Sequence, residues 1–431
     1  MGRRRRFGKS LLLSTMACFF RGEREYFKGL YADTMDWDWQ PYPVLFLDLN
    51  IQSYQGHDTL TNVIKANLEE WEREYDILPR SEDLSVRLND IICTASTKTG
   101  KGVIILVDEY DKPLVNNLHD QELYASFRKD LTALYSNFKS RARYIRMVFL
   151  TGVSRFVHLS VLSGLNNLSD ISFLDKYSGI CGISEKELEA NFHIGIEALA
   201  KKYQATATEI KMELKRRYDG YHFSKNCEDI YNPFSLLNVM EKEEMDSYWT
   251  KSGIPTLLAQ QLRRFDTDLN SIFHAKCYED DLVRLDFDTP RPLALLYQTD
   301  YLTIKDYCRE SELYTLGIPN NEVKQGLLNF LLPYYANFQG ERNARFHIHV
   351  FLKELREGNV DAFMYQLQSM FASVPYTMEM DNERNVHNAL LMLMMLLGID
   401  VQTEYRTSNG RIDLFVKTEK FYYVMELKFN K

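Results

Sequence analysis

The sequence predicts an α/β fold divided among more than one domain, and three observations carry that expectation. Between Gly8 and about Gly164, apolar strand-like runs alternate with helical stretches, the pattern of βαβ units and a mostly parallel sheet. After about Lys186 the pattern becomes mostly helical, and the last part returns to helices followed by strands. The length of 431 residues exceeds what one compact core accommodates.

The elements follow in order. Apolar runs at Pro43 to Leu49, Gly102 to Val107 and Tyr144 to Leu150 read as strands, separated by helical stretches at Asp58 to Tyr75 and Gln121 to Phe138. Helix continues from Lys186 to Arg217, and Asp219-Gly220-Tyr221 with Asn232-Pro233 breaks it. The Tyr221-His222-Phe223 turn reads as packing around Gly220. The region from 233 to 355 mixes short helices with strand-like pieces such as Tyr301 to Tyr307, a helical, winged-helix-like arrangement. The tail opens with helices at Val360 to Phe371 and Glu383 to Leu397. Strands are expected at Asp400 to Arg406, Arg411 to Val416 and Phe421 to Phe429. The expected division is 1–232, 233–355 and 356–431.

Composition excludes several classes. Hydrophobic residues are 45% and charged residues 26%, too apolar for a disordered chain. The longest apolar run, Ala389 to Ile399, falls short of the ~20 residues a membrane span needs, so no membrane association is expected. Six cysteines lie scattered without CxxC or Cys/His clusters, which suggests neither disulfides nor zinc and fits a reducing, cytoplasmic location. His347 and His349 share one face of a strand-like run and, lacking partners at metal spacing, read as polar surface. The net charge of −8 excludes a surface that grips nucleic acid everywhere, so any such contact is confined to a local basic cleft.

Gly8-Lys9-Ser10 opens the helical run Leu11 to Phe20, the arrangement in which backbone N–H groups at a helix start hold a polyphosphate. Lys9 is placed to reach the β and γ phosphates and Ser10 to ligate Mg²⁺. The motif is degenerate, because the first glycine of GxxxxGK[ST] falls at Arg3. Support comes from Val103 to Glu109, a buried-strand pattern ending in two acids, with Asp108 assigned to magnesium and Glu109 to activating water. The alternative is a buried strand followed by a solvated acidic turn. A third strand runs into Thr151-Gly152-Val153-Ser154-Arg155, where Arg155 or a polar neighbour is placed to sense the γ-phosphate, or where the chain simply turns. Arg3 to Arg6 admits a further reading as a nucleic-acid arm.

At the other end, Asp413, Glu426 and Lys428 form an Asp…Glu-x-Lys set. With Glu419-Lys420 as a two-residue hairpin loop, Asp413 falls directly opposite Glu426, with Cβ atoms ~5 Å apart. Lys428 lies on the same face by the two-residue alternation. The other face collects Ile412, Leu414 and Val416 against Phe421, Tyr423, Met425 and Leu427. Two carboxylates this close repel unless a cation lies between them, and hard oxygen ligands suit Mg²⁺. Such a metal would activate water, with Lys428 neutralising developing charge. Glu383, on the apolar-faced helix before the strands, is placed to add a carboxylate or to serve as an ordinary first-turn acid. The alternative for the triad is a surface hairpin with a cross-strand ion pair.

Arg5-Arg6-Phe7-Gly8-Lys9-Ser10-Leu11, Val107 to Leu114 (VDEYDKPL), Thr151 to Phe156 (TGVSRF) and Tyr231-Asn232-Pro233-Phe234-Ser235, in this order, resemble the bacterial AAA-ATPase-like family. Its members carry a C-terminal PD-(D/E)XK nuclease-type domain, and the resemblance spans nearly the whole chain. It implies a P-loop NTPase-type sheet flanked by helices, a mostly helical middle region and an α/β restriction-nuclease-like end. It further implies ATP and Mg²⁺ as cofactors, nucleic acid and above all DNA as partner, and assembly into a homo-oligomer. The implied activity is cleavage of phosphodiesters under nucleotide control; a non-cleaving switch or scaffold is the alternative. Arg4 stands where the family's loop has proline. The chain starts too late for the strand that feeds the phosphate loop and stops soon after the Glu-x-Lys strand, so weak nucleotide binding and low nuclease activity are expected.

Overall fold

The computed structural model describes all residues except 4, 51–52, 118–119, 153–166, 227, 250–261, 263–266, 284–291, 336–350, 352, 373–382, 399, 408–409 and 427–431. Arg155, Lys428 and the histidine pair 347 and 349 therefore lie outside the described residues.

Helix α1 (Lys9–Phe20) precedes strand β1 (Val44–Asp48), helices α2 (Asp58–Glu74) and α3 (Leu84–Thr99), strand β2 (Val103–Asp108), helix α4 (Gln121–Ser140) and strand β3 (Ile145–Leu150). The strands pair in the order β1-β2-β3, all parallel. Alternation along each strand divides the side chains between two faces. Leu45, Leu47, Val103, Ile105 and Val107 pack against α2, α3 and α4. Val44, Ile104 and Leu106 pack with Leu13 and Ala17 of α1. Covered on both faces, β2 is buried along its whole length, which is why it reads as an unbroken apolar run. Helix α3 was not evident from the apolar pattern: its C-terminal half is rich in Thr, Ser and Lys, and Asp83 sets its start by accepting from the N–H groups of Ser85 and Val86.

The edge of the sheet beside β3 holds a surprise relative to the sequence. Met1 to Arg3 lie against the end of β3, with Gly2 bridged in parallel to Gly152. The Arg3 N–H donates to the Gly152 carbonyl at 3.2 Å, and the Met1 amino group to the Leu150 carbonyl at 2.7 Å. The first residues thus enter the phosphate loop from the sheet itself.

The predicted helix after Lys186 is three, α5 (Glu185–Asn191), α6 (His193–Tyr203) and α7 (Ala207–Tyr218). Capping boxes at Ser184 and Thr206 start α5 and α7. Helix α8 (Pro233–Lys242) begins with proline in its first turn and Asn232 as cap. Strands β4 (Thr303–Cys308) and β5 (Leu313–Gly317) form an antiparallel pair, followed by helix α9 (Asn321–Tyr335).

Helices α10 (Val360–Ala372) and α11 (Glu383–Leu396) lead into strands β6 (Asp400–Thr407), β7 (Gly410–Lys417) and β8 (Tyr422–Met425), an antiparallel sheet with β7 in the middle. One apolar cluster joins Phe7, Leu296, Leu331, Leu393 and Leu414, so the phosphate loop, the middle region and the C-terminal elements share a core. Helix α11 is buried almost all round its middle, Leu391 and Met392 included. Among the described residues no helix is long and apolar enough to cross a membrane.

Candidate functional site

Gly8 caps α1 at φ +85°, a left-handed conformation that costs glycine little and any other residue more. The turn it makes points Lys9 and Ser10 toward the C-terminal end of β2. There the Ser10 hydroxyl donates to Asp108 Oδ2. The Thr151 hydroxyl, arriving from the end of the neighbouring β3, donates to Asp108 Oδ1 at 2.6 Å, and the Glu109 N–H reaches the same oxygen at 3.0 Å. Asp108 is 1% exposed, so these donors replace the water a buried carboxylate needs. The Lys9 ammonium lies 3.3 Å from Glu109 Oε1. Glu109 holds φ at +52°, uncommon for a residue with a side chain.

Gly152 shows how tightly this end of the sheet is built. A Cβ there would stand 2.6 Å from both an Asp111 carboxylate oxygen and the Tyr110 ring, so only glycine fits between them. The Lys112 ammonium crosses to the Asn50 carbonyl at 3.0 Å and ties the loops after β1 and β2 together. A cavity of about 630 Å³ opens beside these groups, bounded by Lys9, Ser10 and Glu109 on one side and by α8 on the other.

Arg3 and Arg6 anchor the segment before Gly8 through their side chains, and Arg5 does so through its backbone. Arg3 is 3% exposed and donates to the carbonyls of Ser172 at 2.7 Å and Tyr177 at 2.6 Å, so its side chain does not reach into solvent. The Arg5 N–H donates to Asp300 at 2.8 Å, and Arg6 donates to the Tyr248 carbonyl at 2.8 Å. Phe7 sits edge-on to Tyr221 and Phe223, with centroids 4.9 and 5.1 Å away, so this turn packs on the phosphate loop, whereas the sequence placed its packing around Gly220. Behind Arg6, the buried Glu322 carboxylate accepts from Ser235 of α8 at 2.7 Å and from the Trp249 N–H at 2.8 Å. Burial raises the Glu322 carboxyl above its ordinary range, and these donors together with Arg6 pull it back.

The donor set fits the cofactors the motifs imply. Hydroxyl and carboxylate oxygens at Ser10, Thr151 and Asp108 suit Mg²⁺, and a buried ammonium at a helix start suits phosphate oxygens.

At the second set, β7 and β8 form the hairpin with Glu419 and Lys420 at its turn, closed by the Thr418 N–H donating to the Phe421 carbonyl at 2.9 Å. The register pairs Leu414 with Met425 and Val416 with Tyr423. The ladder ends at Leu414 with Met425, one residue short of Asp413 and Glu426. Leu414 and Val416 are fully buried, while Asp413 is half-buried and Glu426 exposed. Phe421, assigned to the core face, is instead 39% exposed: it precedes β8 and rests over Gly358. Glu383 opens α11, but its side chain lies outside the described residues. Among the described residues no group of three or more His, Cys, Asp or Glu side chains converges as a metal site.

Sequence reasoning missed two contributors. Thr151 holds Asp108 from the adjacent strand, and the available signal was its place directly after β3, whose Leu150 pairs with Val107. The α8 start was legible as one of the family motifs, Tyr231 to Ser235, but its place on the wall of the cavity was not, since Phe234 is more than 200 residues from the phosphate loop.

The family described as predicted AAA-ATPase, AAA-ATPase-like, matches residues 1–162, and the PD-(D/E)XK nuclease superfamily matches residues 381–431. An uncharacterized protein in the vnfD 5′ region of Azotobacter chroococcum mcd 1 is 32% identical over 443 residues, covering 99% of this chain and 82% of that protein. No solved structure matches the chain. With nearly the whole of this chain aligned to that relative and Lys9, Ser10 and Asp108 gathered at the front, the chain belongs to the AAA-ATPase-like family and carries a PD-(D/E)XK nuclease superfamily domain at its C-terminal end.

Proposed function

We propose that the protein is an ATP-dependent, Mg²⁺-requiring nuclease in which the front site governs cleavage of nucleic acid at the back. The observation that carries this reading is the convergence of Ser10, Thr151 and Asp108, with Lys9 on Glu109 beside them. In it, Gly8 and Lys9 bind the phosphates, Ser10 and Asp108 hold the metal, and Thr151 keeps Asp108 oriented. Glu109 takes the proton of the attacking water. Mg²⁺, when bound, neutralises charge developing on the phosphoryl oxygens. Arg155 is assigned to the γ-phosphate.

At the back, Asp413 and Glu426, joined by Glu383, hold a second metal, and Lys428 steadies the developing phosphorane charge. DNA, entering through a local cleft, is the proposed partner, and a homo-oligomer the proposed assembly. The anchoring of Arg3, Arg5 and Phe7 supports a phosphate loop that holds its shape for a nucleotide.

A second reading is favoured by that same anchoring. The loop is bonded to the middle region through Asp300 and Tyr248, the wiring of a nucleotide-dependent switch whose C-terminal module binds without cutting. Nicking of plasmid DNA with Mg²⁺ and ATP separates the two. Loss of nicking in both Lys9→Ala and Asp413→Ala supports the coupled nuclease. Absence of any nicking, with ATP-dependent DNA binding abolished by Lys9→Ala alone, favours the switch.

A further inference from the structure

The phosphate loop accounts for one side of the 630 Å³ cavity; the other side is apolar and belongs to α8. Leu236 and Val239 of α8 are fully buried against α6 and α7, so the helix is held by that face. Phe234 and Leu237, three residues apart and therefore neighbours on the opposite face, are 36% and 50% exposed and line the cavity. They add little to the packing of the helix. Leu11 and Val115 add to the apolar lining.

The Phe234 ring is presented rigidly. Asn232, itself fully buried, caps the helix by accepting from the Ser235 N–H at 3.2 Å, and Ser235 is fastened to Glu322. The Arg6 guanidinium lies 4.0 Å from the Phe234 ring centroid, pinned there by its bond to the Tyr248 carbonyl. An aromatic ring fixed in this way, sharing a cavity with Gly8, Lys9 and Ser10, has the chemistry of a stacking surface for a planar heterocycle.

We propose that Phe234, braced by Arg6 and flanked by Leu237, is the platform on which the base of the nucleoside triphosphate stacks, so that a bound nucleotide bridges the phosphate loop and α8. This inference rests on the nucleotide reading above and adds the recognition of the nucleoside to that of the phosphates. The base would be held by stacking and apolar contact with side chains from Phe234 and Leu237, which tolerates any base more readily than a hydrogen-bonded pocket does.

Calorimetric titration of the full chain in Mg²⁺ with ATP and, separately, with inorganic tripolyphosphate tests it. ATP is expected to bind about tenfold more tightly than tripolyphosphate. Phe234→Ala is expected to weaken ATP by about tenfold and leave tripolyphosphate unchanged, with Phe234→Trp restoring ATP affinity. Should Phe234→Ala not fold, Leu237→Ala, at an exposed position, carries the same comparison with a smaller loss for ATP alone. Equal affinity of the unaltered chain for the two ligands overturns the platform while sparing the phosphate site. So does an equal loss of both ligands in Phe234→Ala, or no loss of either. Binding of neither ligand by the unaltered chain overturns the nucleotide reading and the platform together.

Discussion

The Lys9 ammonium lies 3.3 Å from the Glu109 carboxylate, with the two side chains only 4% and 15% exposed. Two opposite charges at this separation and depth satisfy one another, so the cation offered to a phosphate is already partnered by the residue assigned to activating water. Glu109 is held at a positive φ, an arrangement the surrounding sheet must maintain against backbone preference. In the proposed mechanism an arriving triphosphate would draw Lys9 toward itself and release Glu109.

Neutralising Glu109 should therefore separate binding from turnover. Glu109→Gln is expected to bind ATP at least as tightly as the unaltered protein, because Lys9 loses its competing partner, while phosphate release falls by roughly 10²–10⁴. Lys9→Ala is expected to lose ATP binding. Calorimetry and a phosphate-release assay on the same preparations read both, and a Glu109→Gln protein that binds ATP more weakly contradicts the competition.

Thr151→Val removes the hydroxyl that donates to Asp108 and leaves a buried carboxylate oxygen short of a donor. The expected cost is about 1–3 kcal/mol of stability, with a raised Mg²⁺ requirement for nucleotide binding. Urea denaturation and a Mg²⁺ titration at fixed ATP measure the two. Unchanged stability would show that water replaces the hydroxyl freely.

The two faces of the β7–β8 hairpin should behave oppositely. Leu414→Ala empties part of a fully buried site and is expected to cost about 2–5 kcal/mol, whereas Asp413→Ala, half-buried and outside the core, should leave stability within about 1 kcal/mol. Any Mg²⁺-dependent nicking should vanish in Asp413→Ala. Nicking that survives in a folded Asp413→Ala protein removes this residue from the chemistry.

Asp219, 2% exposed at the end of α7, carries a pH-dependent penalty. Burial raises its carboxyl to about 6, above the ordinary 3.8. A raised folded-state value means that the native form holds the proton more firmly, so stability is greatest below the unfolded value and declines as pH climbs through about 6. Asp219→Asn removes this dependence. Its stability relative to the unaltered protein should improve by roughly 1–3 kcal/mol between pH 4 and pH 7.5, measured by denaturant unfolding at each pH. A difference that does not vary with pH would mean that Lys215, 3.4 Å away, fully compensates the charge.

The local sequence was enough to determine much of this protein. Val103 to Asp108 had to be a covered parallel strand because every side chain is apolar up to the terminal acid, and strands of that kind are buried on both faces. The hairpin register followed from one two-residue loop, since a slip by a single residue would turn Leu414 and Val416 out to solvent. Gly8-Lys9-Ser10, degenerate by itself, read as a phosphate loop once set beside the strand from Val103 that ends in Asp108 and Glu109.

Only the tertiary structure decided what those residues meet. Thr151 reaches Asp108 from another strand, Arg6 braces Phe234 from more than 200 residues away, and Phe7 enters a core that continues to Leu414. The Arg3 side chain, which in sequence is one of four successive arginines, is buried where four carbonyls face it. Periodicity and motif spacing report interactions within a few residues, where chain geometry fixes the distance. Contacts between distant segments depend on how separately formed elements dock, and no local pattern encodes that.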